Sequence, residues 1–484
     1  MLTLSREQLN GVKFMGNNKS GNYLNISTKS FIGAIAIIFA LMVLTYALSF
    51  IVPAGEYART TDAAGNVVID TAKGFSYVEG GIPFWRWILS PFLVLGAEGN
   101  AALIAVIIFL LVIGGVFNSL NASGLMQYML DKIVHKFGDV KYKLMAILIL
   151  FFMAMGSLVG SFEEVVPMVP IVVSLAVGLG WDKATGLSIS LLAAGCGFAA
   201  GVANPFTIGV AQGLAGLPMF SGMWLRLVSF ALIYLLLLAF TRRHAKKVDR
   251  HTHDMAQPES RYVENRKMDR ALKVFAVIVG AGILLVLSSS FIAFLRDFTM
   301  IIVAVMFLAA GIIATLLSGT NGKTLGKTFG GGIVAILPSV LMILMASSIK
   351  YTMVEAKILD TMLHGAVQAA SGMSKAGLVL FIYLIVLVMN FFIASGSAKA
   401  FLLIPLIVPL AGIFGISPQL CILAFAFGDG FSNVFYPTNP VLLISLGIAD
   451  LSYADWVKFS LKFQIVNILL TSAILMLGLA VNYV

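Results

Sequence analysis

Between Ser395 and Gly447 the chain sets glycines, prolines, amides and two charges inside otherwise lipid-like sequence. It reads S-G-S-A-K, then a Pro-broken apolar run, then G-D-G-F-S-N-V-F-Y-P-T-N-P. Such residues belong where backbone leaves the helix at membrane depth, which is tolerated only where that backbone is buried in protein or lines a cavity. The stretch has an earlier copy. Gly160-Ser161-Phe162-Glu163 lines up with Gly396-Ser397-Ala398-Lys399, and Pro167 and Pro170 answer Pro405 and Pro409. Gly195-Cys196-Gly197-Phe198 matches Gly428-Asp429-Gly430-Phe431, and Asn204-Pro205 matches Asn439-Pro440. Interrupted apolar segments at corresponding positions of two halves point to a solute-binding site where the halves meet.

Around these breaks, apolar runs of the ~20 residues needed to cross a bilayer core recur along the 484 residues, 60% of which are hydrophobic and 11% charged. The expected class is an all-α polytopic membrane protein. The net charge of +10 comes from basic residues in short loops, so it reads as a topology signal and no nucleic-acid partner is expected. Cys196 and Cys421 sit in apolar surroundings and imply no disulfide framework or thiolate metal site. The first apolar run, from near Phe31, exceeds the roughly 7–15 residues of a signal-peptide core and reads as a retained span.

Residues 1–30, with Arg6, Lys13, Lys19 and Lys29 against Glu7, form an N-terminal tail expected in the cytoplasm. A first transmembrane repeat covers 31–240. It holds spans near 31–52 and 100–117, a polar external loop at 53–83, an interfacial amphipathic helix near 122–137, a re-entrant hairpin near 144–180 that turns at Gly156 to Ser161, a broken crossing at 184–218 and a span at 222–240. A basic cytoplasmic linker, 241–273, and a linking span, 274–298, lead to a second, inverted repeat at 299–484. This has spans near 299–318 and 332–349, an interfacial helix near 353–370, a hairpin near 376–416 with its tip at Ser395 to Lys399, a broken crossing at 418–447 and a last span at 460–481. The layout gives nine crossings and two hairpins, puts most of the 32 Lys and Arg on the cytoplasmic side, and leaves the C-terminus outside.

Four charges fall at membrane depth, all in the repeated stretches: Glu163, Glu164, Lys399 and Asp429. Each costs ~2.5–3.5 kcal/mol at the bilayer centre. One reading pairs them, for example Glu163 with Lys399 across the two tips; the other gives them a substrate or a coupling ion. The glycines and serines at the tips make tight turns, and backbone N–H groups opening the next half-helix suit a carboxylate. Asn204 and Asn439 mark the breaks before Pro205 and Pro440, and carbonyls freed there can coordinate Na⁺. The candidate substrate-binding residues are therefore Ser157, Gly160, Ser161, Glu163, Asn204, Thr207, Gly396, Ser397, Lys399 and Asn439. The candidate coupling-ion residues are Glu164, Asp429, Ser432, Asn433 and Thr438. Carboxylates outnumber the single lysine, which favours a cation-coupled carrier, and Asp429 leads because its counterpart is the neutral Cys196. All five histidines lie in predicted loops or interfacial helices, and His251 and His253, the one close pair, lack further ligands. No nucleotide-binding, zinc or nucleophile-elbow motif occurs. No cofactor is expected beyond Na⁺ or H⁺ as coupling ion.

With Gly160-Ser161-Phe162-Glu163-Glu164-Val165-Val166-Pro167, Ala203-Asn204-Pro205-Phe206-Thr207, Ala394-Ser395-Gly396-Ser397-Ala398-Lys399-Ala400 and Tyr436-Pro437-Thr438-Asn439-Pro440, the chain resembles the anaerobic four-carbon dicarboxylate carrier and YfcC-like group of the ion transporter superfamily over nearly its full length. The resemblance implies an inner-membrane secondary carrier with paired hairpins, a scaffold that forms a homodimer, and elevator-type movement of the hairpin domain. Related tips often read Ser-Asn-Thr; here they read Gly-Ser-x-Glu and Gly-Ser-x-Lys. The expected function is secondary active transport of a small carboxylate-bearing metabolite, a dicarboxylate or an amino acid, by ion symport or exchange, without enzymatic activity. A channel is the first alternative and would favour a pore lined by like charges. An intramembrane enzyme is the second, and would need a nucleophile with a base or metal ligands.

Overall fold

The computed structural model describes residues 28–61, 67–70, 73–97, 101–160, 162–218, 220–253, 263–288, 298–370 and 372–484. The tail up to residue 27, Ser161, the middle of the linker at 254–262 and the end of the linking span at 289–297 lie outside the described residues. Among those described, seven helices are long and apolar enough to cross a membrane.

Each half runs through the same order of elements. The first has α1 (Thr28–Ile51), α2 (Ala101–Ala122) and the short amphipathic α3 (Leu125–Phe137). Then α4 (Lys141–Ala154) passes through a π turn, Met155–Val159, and a 3-10 turn, Glu163–Met168, into α5 (Val169–Gly178). An interrupted helix follows, ending in α6 (Ala193–Ala200) before the break and resuming in a π turn, Pro205–Gly209, and α7 (Val210–Leu214); α8 (Met223–His253) closes the half. After α9 (Arg266–Ser288), the second half repeats the order in α10 (Thr299–Leu317), α11 (Gly322–Glu355) and α12 (Leu359–Ala369). The pair α13 (Lys375–Phe392) and α14 (Gly396–Ile413), the interrupted α15 (Pro418–Asn433) and α16 (Pro440–Ala449), and α17 (Tyr453–Ala480) complete it.

The counterparts α2 and α11 cross at glycine. A Cβ on Gly332 would lie 2.2 Å from the Gly114 carbonyl oxygen, so only bare backbone permits the approach. There Asn118 Nδ2 donates to the Thr328 carbonyl at 2.6 Å. Around this crossing α1, α2, α9, α10 and α11 pack together, while α6 packs on α15 and α13 on α15 to form the other body of helices. The interrupted segment Lys183–Leu214 is the more buried: 94% of its apolar window is buried against 28% for α8. Such burial suits a helix surrounded by protein rather than lipid.

Four expectations are corrected. The polar stretch 53–83 is not plain loop: β1 (Gly55–Tyr57) pairs antiparallel with β4 (Phe75–Tyr77), and β2 (Arg59–Thr61) with β3 (Val67–Ile69). The Asp360 carboxylate orders it by accepting from the Tyr57 N–H at 2.9 Å and from Arg59 at 2.8 Å. Helix α11 runs well past the expected span 332–349, because Asn321 caps its start and the turn comes only at Lys357, with φ 56°. The start of the linker is helical, α8 continuing to His253, so that His244 lies in a helix bonded to Asp182 at 2.8 Å rather than in a loop. Pro405 and Pro409 do not break their run, and α14 passes through both and ends at Ile413. Four residues apart, they lie on one helix face and remove two backbone donors.

Candidate functional site

Each break is built by its asparagine. Proline at the first helical position cannot donate, and the residue before it is pushed into extended geometry, which leaves the next N–H groups to be capped. Asn204 and Asn439 do this in the same way. Asn204 Oδ1 accepts from Phe206 and Thr207 N–H at 2.9 and 3.3 Å, and Asn439 Oδ1 from Val441 and Leu442 N–H at 2.9 and 3.4 Å. Two of the carbonyls left behind are also taken. Arg226 Nε, on α8, donates to the Val202 carbonyl at 3.3 Å, and Trp456 Nε1, on α17, to the Val434 carbonyl at 2.8 Å. These oxygens, which the sequence reading offered to Na⁺, are therefore engaged by the protein.

The two helix-turn-helix tips meet the breaks. Ser157 Oγ accepts from Val202 N–H at 3.0 Å and the Ser157 carbonyl from Ala203 N–H at 3.0 Å. Gly160 is left-handed, with φ 76°, and a Cβ there would lie 2.3 Å from Asn204 Oδ1. From the second tip, Ser397 Oγ donates to the Phe206 carbonyl at 2.8 Å, and a Cβ on Gly396 would meet Asp429 Oδ2 and Thr207 Cγ2, each at 2.6 Å. Both tips and α15 thus converge on the first break.

At the centre the Lys399 ammonium is paired with the Asp429 carboxylate, both with 0% of the side chain exposed. Asn390 holds the pair. Its Oδ1 accepts from Lys399, while its Nδ2 lies within hydrogen-bonding distance of Ser432 Oγ at 2.7 Å, Asn433 Oδ1 at 2.9 Å and the Asp429 carbonyl at 3.1 Å. Asn439 Nδ2 joins the chain by donating to Asn433 Oδ1 at 3.0 Å. Two opposite charges without water cost several kcal/mol each in desolvation, which their mutual attraction and these amides offset.

Of the predicted residues, Ser157, Gly160, Asn204, Thr207, Gly396, Ser397, Lys399, Asn439, Asp429, Ser432 and Asn433 come together. Pairing of the membrane charges, for which Glu163 with Lys399 was the example, takes the form of Lys399 with Asp429, because α14 and α15 are packed side by side. Glu163 stands close enough to Asp429 and Glu164 to feel their charges. Glu164 lines a small crevice with Met155, Met168, Ile283, Val303, Met306 and Phe307. Thr438 instead lines a separate large cavity. The expected coupling-ion set is therefore spread over three places. Sequence reasoning missed Asn390, although a lone amide in the apolar run of α13 is a visible signal, and it left Lys350 and Arg226 out of the charges at membrane depth. Lys350 lies within α11, and Arg226 is fully buried.

The sequence profile of the C4-dicarboxylate anaerobic carriers (DcuC) matches residues 32–480. The chain belongs to this family. It is 32% identical over 384 residues, 73% of each chain, to the "Putative basic amino acid antiporter YfcC" of Escherichia coli (strain K12), and 23% identical over 492 residues, 89% of this chain and 94% of the other, to an uncharacterized protein of Haemophilus influenzae. Among solved structures it is similar to the Alcanivorax borkumensis YdaH transporter, at 18% identity and TM-score 0.44 over 94% of this chain and 99% of that one. It is also similar to Neisseria gonorrhoeae MtrF, at 15% and 0.41 over 97% of each. As a DcuC-family member the chain is a multi-pass membrane transporter and not an enzyme.

Proposed function

We propose that the chain is a secondary active carrier that moves a small carboxylate-bearing metabolite, a dicarboxylate or an amino acid, across the inner membrane by ion symport or exchange. The observation that carries this reading is the convergence of both tips and both breaks on one dry, oppositely charged pair, Lys399 and Asp429. A channel calls for a continuous pore lined by like charges. Here the charges close on each other in packed protein. A carboxylate has Lys399 and the tip N–H groups as partners, and an amino group has Asp429, so both solute classes fit the same centre. With Asp429 occupied by Lys399, the coupling cation, Na⁺ or H⁺, is assigned to Glu163 and Glu164.

The same reading treats both helix pairs as re-entrant hairpins of a body that moves elevator-fashion against α1, α2, α9, α10 and α11, with two copies joined through that scaffold, the N-terminus cytoplasmic and the C-terminus outside. The backbone at the first tip supports it: a π turn, Met155–Val159, the left-handed Gly160 and a 3-10 turn, Glu163–Met168, follow one another there, which suits a re-entrant tip better than two straight crossings. The test is counterflow in proteoliposomes with labelled succinate, aspartate and arginine. Saturable uptake driven by unlabelled solute inside supports the carrier, whereas flux that neither saturates nor responds to solute on the far side marks a channel.

A further inference from the structure

Beside the second tip lies a cavity of about 740 Å³, walled on one side by α11 and the segment from Arg86 to Ala97, and on the other by Phe392 to Ser395 and Thr438. Its charged lining residues are Arg86, Lys350 and Glu355. Arg86 is taken: it pairs with Glu355 at 2.9 Å and donates to the Tyr351 hydroxyl at 3.2 Å. Lys350 pairs with no acid among the described residues, and among these the lining carries two positive charges, Arg86 and Lys350, against one negative, Glu355. On the opposite wall Thr438 is only 7% exposed, and its Oγ1 has no hydrogen-bond partner among the described residues. A buried hydroxyl without a partner is costly unless something else supplies one.

We propose that this cavity is a carboxylate-recognition site, in which Lys350 on α11 supplies the charge and the hydroxyls of Thr438 and Ser395 supply donors. The inference deepens the carrier reading and rests on it. Because Lys350 belongs to the scaffold helices while Ser395 and Thr438 belong to the second tip and second break, a bound carboxylate ties the two bodies together. It selects solutes by their carboxylate before they reach Lys399 and Asp429. The amine of an amino acid is not read here.

The test places a cysteine at Ser347, a further lining residue, in the full chain, where both native cysteines are buried, reconstituted in phosphatidylcholine vesicles. Labelling rates are compared for an anionic and a cationic methanethiosulfonate. The anionic-to-cationic ratio is expected to fall about tenfold with Lys350→Gln, which corresponds to ~1.4 kcal/mol, and to survive Lys350→Arg. Succinate and L-arginine should slow labelling, whereas agmatine, which is L-arginine without its carboxylate, should not. Protection should vanish in Lys350→Gln and weaken in Thr438→Val. An unchanged ratio, equal protection by agmatine, or no protection by either carboxylate overturns the proposal. Protection by added phosphatidylglycerol without solute overturns it as well, since the site would then hold a lipid headgroup. Because labelling does not need transport, the expected pattern without counterflow would keep the site and refute the carrier.

Discussion

Lys399→Met tests the centre of the site most directly. Both members of the Lys399–Asp429 pair are fully buried, so removing the ammonium leaves a carboxylate with no water to solvate it; breaking a buried pair from one side costs about 3–5 kcal/mol. Losing the bond to Asn390 Oδ1 adds about 1 kcal/mol. The double variant Lys399→Met/Asp429→Asn removes both charges and keeps an amide beside Asn390. It should regain most of that loss and stand within about 1–2 kcal/mol of the native chain. The assay is unfolding in detergent micelles, with counterflow measured on the same preparations. The double variant should be folded but inactive, since neither a solute carboxylate nor an amine then finds its partner. Glu163→Gln should not rescue Lys399→Met. A single variant as stable as the native chain, or rescue by Glu163→Gln rather than by Asp429→Asn, would refute the pairing and the argument built on it.

The two capping asparagines separate by their amide nitrogens: Asn204 Nδ2 has no partner among the described residues while Asn439 Nδ2 bonds Asn433, so Asn439→Asp should destabilise by about 1–2 kcal/mol more than Asn204→Asp in the same unfolding assay. Gly160→Ala sets a methyl against Asn204 Oδ1 at a left-handed residue and should lower stability by at least about 1 kcal/mol and depress transport; native-like melting would contradict the tip geometry. Burial alone would raise the Asp182 carboxyl, but hydrogen bonds from His244 and Thr185 outweigh it and hold the group below its usual 3.8. Its contribution to stability is present above the unfolded-state value and is lost as pH falls through the folded one. Asp182→Asn should therefore flatten the acid limb of a stability-versus-pH curve. Cysteines at Asp182 and Lys375 should be labelled from opposite faces of the membrane, the first from the cytoplasm, and labelling of both from one face would remove the inverted arrangement.

What was legible in the sequence was what backbone chemistry forces. Proline after asparagine breaks a helix wherever it stands, so Asn204 and Asn439 fall at the two breaks, and Gly160 can turn because it lacks a Cβ. Partner choice was not legible. Glu163 and Lys399 occupy equivalent positions in the two copies, which made their pairing attractive, but equivalence does not place side chains in contact. Asp429 reaches Lys399 because α15 packs beside α14. Helix ends were also misjudged where a long side chain continues the helix into a polar setting. Lys350 reads as the first residue beyond a span, yet it lies five residues inside the end of α11 and faces a cavity.

The repeat is symmetric in backbone and asymmetric in chemistry. Equivalent roles fall to Asn204 and Asn439 as caps, and to Arg226 and Trp456 as donors to the abandoned carbonyls. By contrast, Asp429, Ser432 and Asn433 answer Cys196, Ala199 and Ala200, and Asn390 answers Ala154. The first copy uses those positions for close packing: a Cβ on Gly430 would lie 2.3 Å from the Ala199 Cα, so small residues in α6 let α15 lie against it. One copy therefore supplies the polar network and the other supplies the space that buries it. On the proposed reading, a solute that binds Lys399 loosens its bond to Asp429, and the amide of Asn390, which contacts both residues, can hold either while that happens. On the proposed elevator reading, the Lys399–Asp429 pair closed on itself keeps the site neutral, so that movement of the hairpin body carries no uncompensated charge through the membrane. Exchange and return without solute then become separable: neutralising Asp429 should impair the return step more than exchange, since only the return needs Lys399 to find its partner within the protein.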